Sequence, residues 1–150
     1  MKKNLLIITA SDLIIERVGK LAPNSKPLWG EMTASEMLMH CNSCNKQILE
    51  EEREDKKTTV KQYLLRILAL YIAPNFVKGL KTESRHDTKG KISDACFEEQ
   101  KNEFINLIKL FPLTTHPLTL THPAFGNIST NQWGIAAYKH MDHHLRQFGI

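Results

Sequence analysis

The segment that constrains this chain most is its C-terminal stretch from Tyr138 to Phe148, which contains three of the seven histidines. At about 100° per residue, His140 and His144 lie one turn apart on one face of a helix. Trp133 and Ala137 share that face, so we predict a helix that turns its apolar side and both imidazoles towards the protein interior. Two imidazoles at this spacing can bind one divalent metal ion, but a stable site needs a third ligand from another part of the chain.

A second predicted helix supplies that ligand. It begins after a capping box formed by Thr33 and Glu36, and His40 lies on the flank of its apolar stripe. A lone histidine on such a face is more often a core-edge residue that hydrogen-bonds a carbonyl or a water, and the C-terminal pair is what favours a ligand here. We therefore predict a metal site made of His40, His140 and His144. Imidazole ligands favour Zn or Ni, with Fe, Mn or Cu as alternatives.

Other histidines leave alternatives open. His116 and His122 lie in a proline-containing loop, and each is either a solvent-exposed or backbone-bonded residue, or else a further ligand or acid–base group. His143 would reach the site only if the last helix rotated away from its apolar stripe, so we assign it to a supporting or surface position. His86, in the polar stretch 81–92, is predicted to be exposed to solvent without a partner.

Two cysteines, Cys41 and Cys44, form a C-x-x-C pattern inside the second predicted helix. A zinc ribbon needs a second such pair, and a redox-active thiolate is favoured at a helix N-terminus, which these residues are not near. We interpret both as small apolar core residues, either of which could lie close to the metal.

Capping residues and prolines divide the rest of the chain. We predict helix starts near four capping residues, Ser11, Thr33, Ser93 and Ser129. The segment from Thr59 to Lys78 is apolar nearly all round, so we predict an additional helix that is covered on more than one side. It would cross between helices two and three, form a subunit contact or dock on a membrane surface, but it is interrupted too early to span a membrane. The predicted fold is an all-α four-helix bundle with an additional apolar helix in the crossover between helices two and three.

Composition agrees with one domain over residues 1–150, because 150 residues with 41% hydrophobic content can build a single core. The net charge of +4 is spread among interspersed acidic and basic residues, which argues against a nucleic-acid partner. The apolar run after Met1 is too short for a signal peptide, and three cysteines do not make a disulfide framework. These features predict a cytoplasmic protein.

Three segments, 27–34, 37–41 and 139–149, resemble the DinB-like superfamily, and within it an uncharacterised branch with the C-terminal signature KHMDHHLRQFG. The loop 122–126 and the Trp133-Gly134 pair extend the resemblance over most of the chain outside its middle. The resemblance implies a four-helix bundle that holds a divalent metal through one histidine of helix two and an H-x-x-x-H pair on the last helix. These positions match His40, His140 and His144.

Members of that superfamily include transferases and isomerases that use low-molecular-weight thiols. The resemblance therefore implies a metal-dependent enzyme of this type, with a small-molecule thiol and an electrophilic substrate as partners. A metal-dependent hydrolase is one alternative. A non-catalytic metal-binding or stress-associated protein, and a metal-free cluster of hydrogen-bonded histidines, are the others. A homodimer is also compatible with the sequence, and no catalytic residue beyond the metal ligands is predicted.

Overall fold

A computed structural model describes residues 2–50, 57–79 and 84–150 of the chain. Within these residues it contains five α-helices, α1 (Ile8–Gly19), α2 (Ala34–Glu50), α3 (Val60–Ile67), α4 (Phe97–Leu110) and α5 (Thr130–Gln147). A π-helical turn, Leu68–Ile72, continues α3, and 3-10 turns occupy Ser84–His86, Asp94–Cys96 and Phe111–Leu113. The protein is therefore mostly helical, as predicted.

One small hairpin interrupts the helical pattern. The strands β1 (Thr121–His122) and β2 (Gly126–Asn127) pair in antiparallel fashion, with His122 opposite Gly126. Gly126 has φ +70°, and a Cβ there would lie 2.6 Å from the side chain of Thr58. The Thr58 hydroxyl accepts a hydrogen bond from the Asn127 amide at 2.8 Å, so the hairpin is fixed against the segment that leads into α3.

Capping boxes begin the two helices that carry the predicted ligands. At the start of α2, the Thr33 amide donates to Glu36 Oε2 at 2.8 Å and the Glu36 amide donates to Thr33 Oγ1 at 3.3 Å. At the start of α5, Ser129 and Gln132 form the same reciprocal pair. Both boxes satisfy amides that have no partner inside the helix, which confirms the predicted starts of these helices.

The predicted start of α1 at Ser11 is wrong, because the helix begins at Ile8. Ser11 is buried inside the helix, and its hydroxyl donates to the Ile108 carbonyl of α4 at 3.1 Å. A serine that bonds a neighbouring helix looks in the sequence like a capping serine, because both roles need only the short hydroxyl.

The core lies between α1, α2, α4 and α5. Helix α4 packs on α1 and α2, and α5 packs on the same two helices from another side. The largest side chains that are fully buried include Phe97, Phe104, Phe111, Ile14, Met37, Leu38, Met141 and Leu145. This packing places α2 beside α5, so the helices that carry His40 and the C-terminal histidines are neighbours.

The additional apolar helix lies between α2 and α4 in the chain, as predicted, but it is shorter than Thr59 to Lys78, and within the described part of the chain much of its apolar surface is left exposed. Val60, Leu64, Leu68 and Ile72 are each more than half exposed, and Leu70 is buried. The Lys139 ammonium of α5 donates to carbonyls at the end of this element, including that of Ala73 at 2.7 Å, and so attaches it to α5. No helix in the described ranges is long and apolar enough to cross a membrane.

Candidate metal centre

Three imidazole rings meet where α2 lies against α5. The Nε2 atoms of His40 and His140 are 3.1 Å apart, and those of His140 and His144 are 3.0 Å apart. The ring centroids of His40 and His144 are separated by 4.8 Å. The three histidines singled out in the sequence therefore lie side by side, with His140 between the other two.

The hydrogen bond at the far side of His40 decides which of its nitrogens carries the proton. His40 Nδ1 lies 2.9 Å from the backbone carbonyl oxygen of His86. A carbonyl oxygen can only accept, so Nδ1 must donate, and in the neutral ring Nε2 is left with a lone pair. That lone pair faces His140 Nε2, 3.1 Å away.

The ring of His144 is fixed in the same way by Gln147, one turn further along α5. Gln147 Nε2 donates to the Trp29 carbonyl at 2.8 Å, which orients the amide so that Oε1 faces His144 Nδ1 at 3.0 Å. His144 Nδ1 is therefore the donor and its Nε2 carries a lone pair. Gly30 makes this contact possible, because a Cβ at that residue would lie 2.6 Å from Gln147 Nε2 and its φ is +78°.

His140 cannot satisfy both neighbours by hydrogen bonding. The Nε2 atoms of His40 and His144 both present lone pairs to His140 Nε2, which has at most one proton to donate. In a metal-free neutral cluster at least one close pair of lone pairs remains without a proton between them. A cation beside these rings would interact favourably with the lone pairs, and a tetrahedral zinc site has nitrogen–nitrogen separations of about 3.3–3.4 Å, close to the two at His140.

Burial keeps these imidazoles neutral, as metal ligands must be. Desolvation lowers the pKa of His40 and of His140, and lowers the pKa of His144 to about 3. Mutual repulsion between the rings adds to the effect on His140 and His144. The cluster therefore offers uncharged ligands at neutral pH.

Cys44 is the fourth potential ligand at this point. Its Sγ lies 3.9 Å from His40 Nε2, and the ligand atoms of His40, Cys44 and His140 all lie within 4.8 Å of one another. A tetrahedral site with one thiolate has a sulfur–nitrogen separation of about 3.6 Å, so a small side-chain movement would bring Cys44 into the coordination sphere. A His40, Cys44 and His140 group can thus hold a metal ion. Cys41 is fully buried in the core, as expected.

A cavity of about 620 Å³ opens directly beside the cluster. All three histidines and Cys44 line it, and most of the remaining wall is apolar or aromatic, formed by Trp29, Met32, Ile48, Phe76, Val77, Leu120, Trp133 and Ala137. This size and character are typical of a small-molecule site. The burial of Trp133, 4% exposed, also confirms the predicted inward face of α5.

The other histidines have separate roles. His116 is exposed, with Nε2 3.3 Å from the Leu49 carbonyl, and it does not line the cavity. His122 does line it, and its Nδ1 accepts the amides of Ala124 and Phe125 at 3.1 and 3.2 Å. Since Nδ1 accepts, the proton of the neutral His122 ring is on Nε2. His143 also lines the cavity, with its ring edge-on to Trp29 at 6.0 Å.

The prediction that His86 is exposed and without a partner is wrong. His86 is 7% exposed, its Nδ1 accepts from the Ser43 hydroxyl at 2.7 Å, and its Nε2 donates to Gln47 Oε1 at 2.8 Å. Both partners are on α2, and together they hold the His86 carbonyl against His40. The polar sequence around His86 contains no periodic pattern, so the available signal was the pair of polar side chains, Ser43 and Gln47, one turn apart on the ligand helix.

Comparison with known proteins gave no match: no protein-family model, no curated protein and no solved structure is significantly similar to this chain. The DinB-like assignment therefore depends on the sequence segments that suggested it.

Proposed function

We propose that this protein is a divalent-metal-dependent enzyme of the DinB-like type, a four-helix bundle that holds its ion through His40, His140 and His144. The observation that carries the proposal is the convergence of three imidazoles beside an open cavity, with the rings of His40 and His144 held so that their Nε2 lone pairs face His140 Nε2. Hydrogen bonds that orient ligand imidazoles in this way are typical of metal sites. Zn or Ni suits this ligand set best.

A divalent ion with three neutral ligands and an open position would lower the pKa of a bound thiol or water. The residues around it serve binding and orientation. The aromatic walls exclude water from the bound ligand, and His122, whose neutral ring carries its proton on Nε2, is part of this wall.

We favour a low-molecular-weight-thiol-dependent transferase or isomerase over a hydrolase. Activation of water requires a group that takes its proton. Burial makes His122 and His143 of the cavity wall weak bases, because it lowers the pKa of His122 to about 3 and also lowers that of His143. Glu31 is the single carboxylate among the described residues of the wall. Glu31 is engaged in an ion pair with Lys89. A thiol needs less assistance, because its pKa is near 8.5 even before a metal lowers it.

The second candidate function is a non-catalytic metal site that fastens α2 to α5, and Cys44 is the observation that favours it. With Cys44 as fourth ligand the coordination would be closed, as in structural zinc sites. The protein would then be a metal-binding helical protein without an open position for substrate.

Metal analysis of the untagged protein tests the proposal, together with the His40→Ala and His144→Ala variants. We expect one bound ion per chain in the wild type and none in either variant, because two imidazoles hold a metal weakly. Full metal content in His144→Ala would contradict the three-histidine site and favour His40, Cys44 and His140.

The Cys44→Ser variant then separates the enzyme from the structural site. Loaded with Co²⁺, an open three-histidine site should give the same visible spectrum with cysteine or serine at this position, and thiol-transfer activity with glutathione or bacillithiol should persist. A sulfur-to-cobalt absorption band in the wild type that disappears in Cys44→Ser would show that the thiolate closes the site.

A further inference from the structure

The charges of the cavity wall are unequal. Glu31 is neutralised by its ion pair with Lys89, which is outside the wall. Lys78 also lines the cavity, and its ammonium forms no ion pair with a carboxylate in the described part of the chain. The neutral histidine cluster contributes no charge, so among the described residues of the wall Lys78 is left as a positive charge that no described carboxylate pairs with.

Lys78 is held at the cavity by Trp29. Its Nζ lies 3.9 Å from the centre of the Trp29 ring, a distance typical of a cation–π contact. The same tryptophan is bound to the metal site through its carbonyl, which accepts from Gln147, the residue that orients His144. The Lys78 ammonium and the histidine cluster thus line one cavity and are connected through Trp29 and Gln147.

A divalent ion would increase this imbalance, because three imidazoles leave its charge of +2 uncompensated in surroundings that are largely apolar. A neutral ligand would leave these charges without a counterion. An anion with an apolar body would neutralise charge and also cover the aromatic wall.

We propose, as an inference that rests on the proposed metal site, that the cavity binds an amphipathic organic acid. One end of this ligand coordinates the metal, the apolar body packs against Trp29 and Phe76, and a carboxylate at the other end pairs with Lys78. The expected ligand class is therefore a carboxylic acid with a hydrophobic chain or ring and a second group that can bind a metal.

The test uses the full-length protein loaded with Co²⁺ and two probes of the same length, ω-mercaptohexanoate and its neutral amide, ω-mercaptohexanamide. The thiolate-to-cobalt absorption band reports coordination at the metal for either probe, and its titration gives both dissociation constants. The variants are Lys78→Met, which keeps the apolar stem, and Lys61→Met, which removes the same charge from an exposed lysine outside the cavity.

We expect the wild type to bind the acid about three- to five-fold more tightly than the amide at low ionic strength, with a smaller preference at high salt, because Lys78 is accessible to solvent. Lys78→Met should reduce the preference to two-fold or less without weakening the amide, and Lys61→Met should keep it. Equal binding of acid and amide by the wild type, with the cobalt band present, would overturn this inference and leave the metal site intact. If both variants lose the preference for the acid over the amide, that preference comes from the overall charge of the protein, and the role of Lys78 is overturned. If neither probe gives a band, the open metal position fails and this inference fails with it.

Discussion

Gln147 provides the sharpest test of how the metal centre is held together. It is 4% exposed and makes two hydrogen bonds, accepting from His144 Nδ1 at 3.0 Å and donating to the Trp29 carbonyl at 2.8 Å. Gln147→Leu keeps a similar volume but leaves a buried N–H and a carbonyl without these partners. Each such loss costs about 1–3 kcal/mol, and loss of a partner that orients a metal ligand lowers metal affinity about 10- to 100-fold.

The matched variant Gln147→Glu separates the two bonds. A carboxylate can still accept from His144 Nδ1–H, but it cannot donate to Trp29, whose carbonyl it would repel. We expect both variants to unfold at lower denaturant concentration than the wild type when metal-free. Metal affinity is measured by competition with a chromophoric chelator. Gln147→Leu should show the 10- to 100-fold decrease in affinity, whereas the affinity of Gln147→Glu should stay within a few-fold of that of the wild type. Unchanged metal affinity in Gln147→Leu would refute the argument that Gln147 orients His144.

Two further predictions concern the segments around the site. Burial lowers the pKa of His122 from 6.5 to about 3, so below pH 6.5 the unfolded ring binds a proton that the folded ring does not, and stability is lost as pH falls through this window. Urea titrations at several pH values should therefore show that the free energy of unfolding of the metal-free wild type falls more steeply with decreasing pH than that of His122→Asn. The expected difference between the two slopes is about 1.4 kcal/mol per pH unit between about pH 6 and 4. Equal slopes would contradict the assignment of this effect to His122. Glu36 accepts hydrogen bonds from the amides of Thr33 and Gly90 at 2.8 and 2.6 Å, so Glu36→Ala should lower the free energy of unfolding by about 2–4 kcal/mol. The same variant should weaken metal binding, because it releases the segment that carries the His86 carbonyl. Thr33→Ala, which removes only the cap, should cost about 1 kcal/mol and keep metal affinity; equal losses of metal affinity in the two variants would contradict this account.

The parts of the fold that could be predicted are those specified by local spacing. Thr33 with Glu36 and Ser129 with Gln132 place complementary side chains at the start of an apolar periodic segment, and both helices begin where that pattern indicates. Spacing along a single helix also places His140 and His144 on one face. That these two rings bind a metal together with His40 stays a prediction.

The errors concern relations between distant segments. Apolar residues around the additional helix predicted cover on several sides, but periodicity shows only that a side chain is apolar, and Leu64 and Leu68 stay more than half exposed in the described chain. Ser11 has the chemistry of a helix cap, yet a carbonyl of α4 is its partner. In both cases the missing information was the position of another element.

The groups that orient the predicted metal ligands also divide into one that local spacing predicts and one that it does not. Gln147 follows His144 by three residues on one helix, so the spacing alone could have predicted it as the group that orients the ring. The partner of His40 is a backbone carbonyl, which has no side-chain signature, and it is delivered from 46 residues away by a segment fixed to α2 through Ser43 and Gln47. The ligand geometry therefore depends on a contact that the sequence pattern does not contain. Since α2, the segment around His86 and α5 must all be in place before the three rings meet, metal binding should report on the packing of these elements and not on α5 alone.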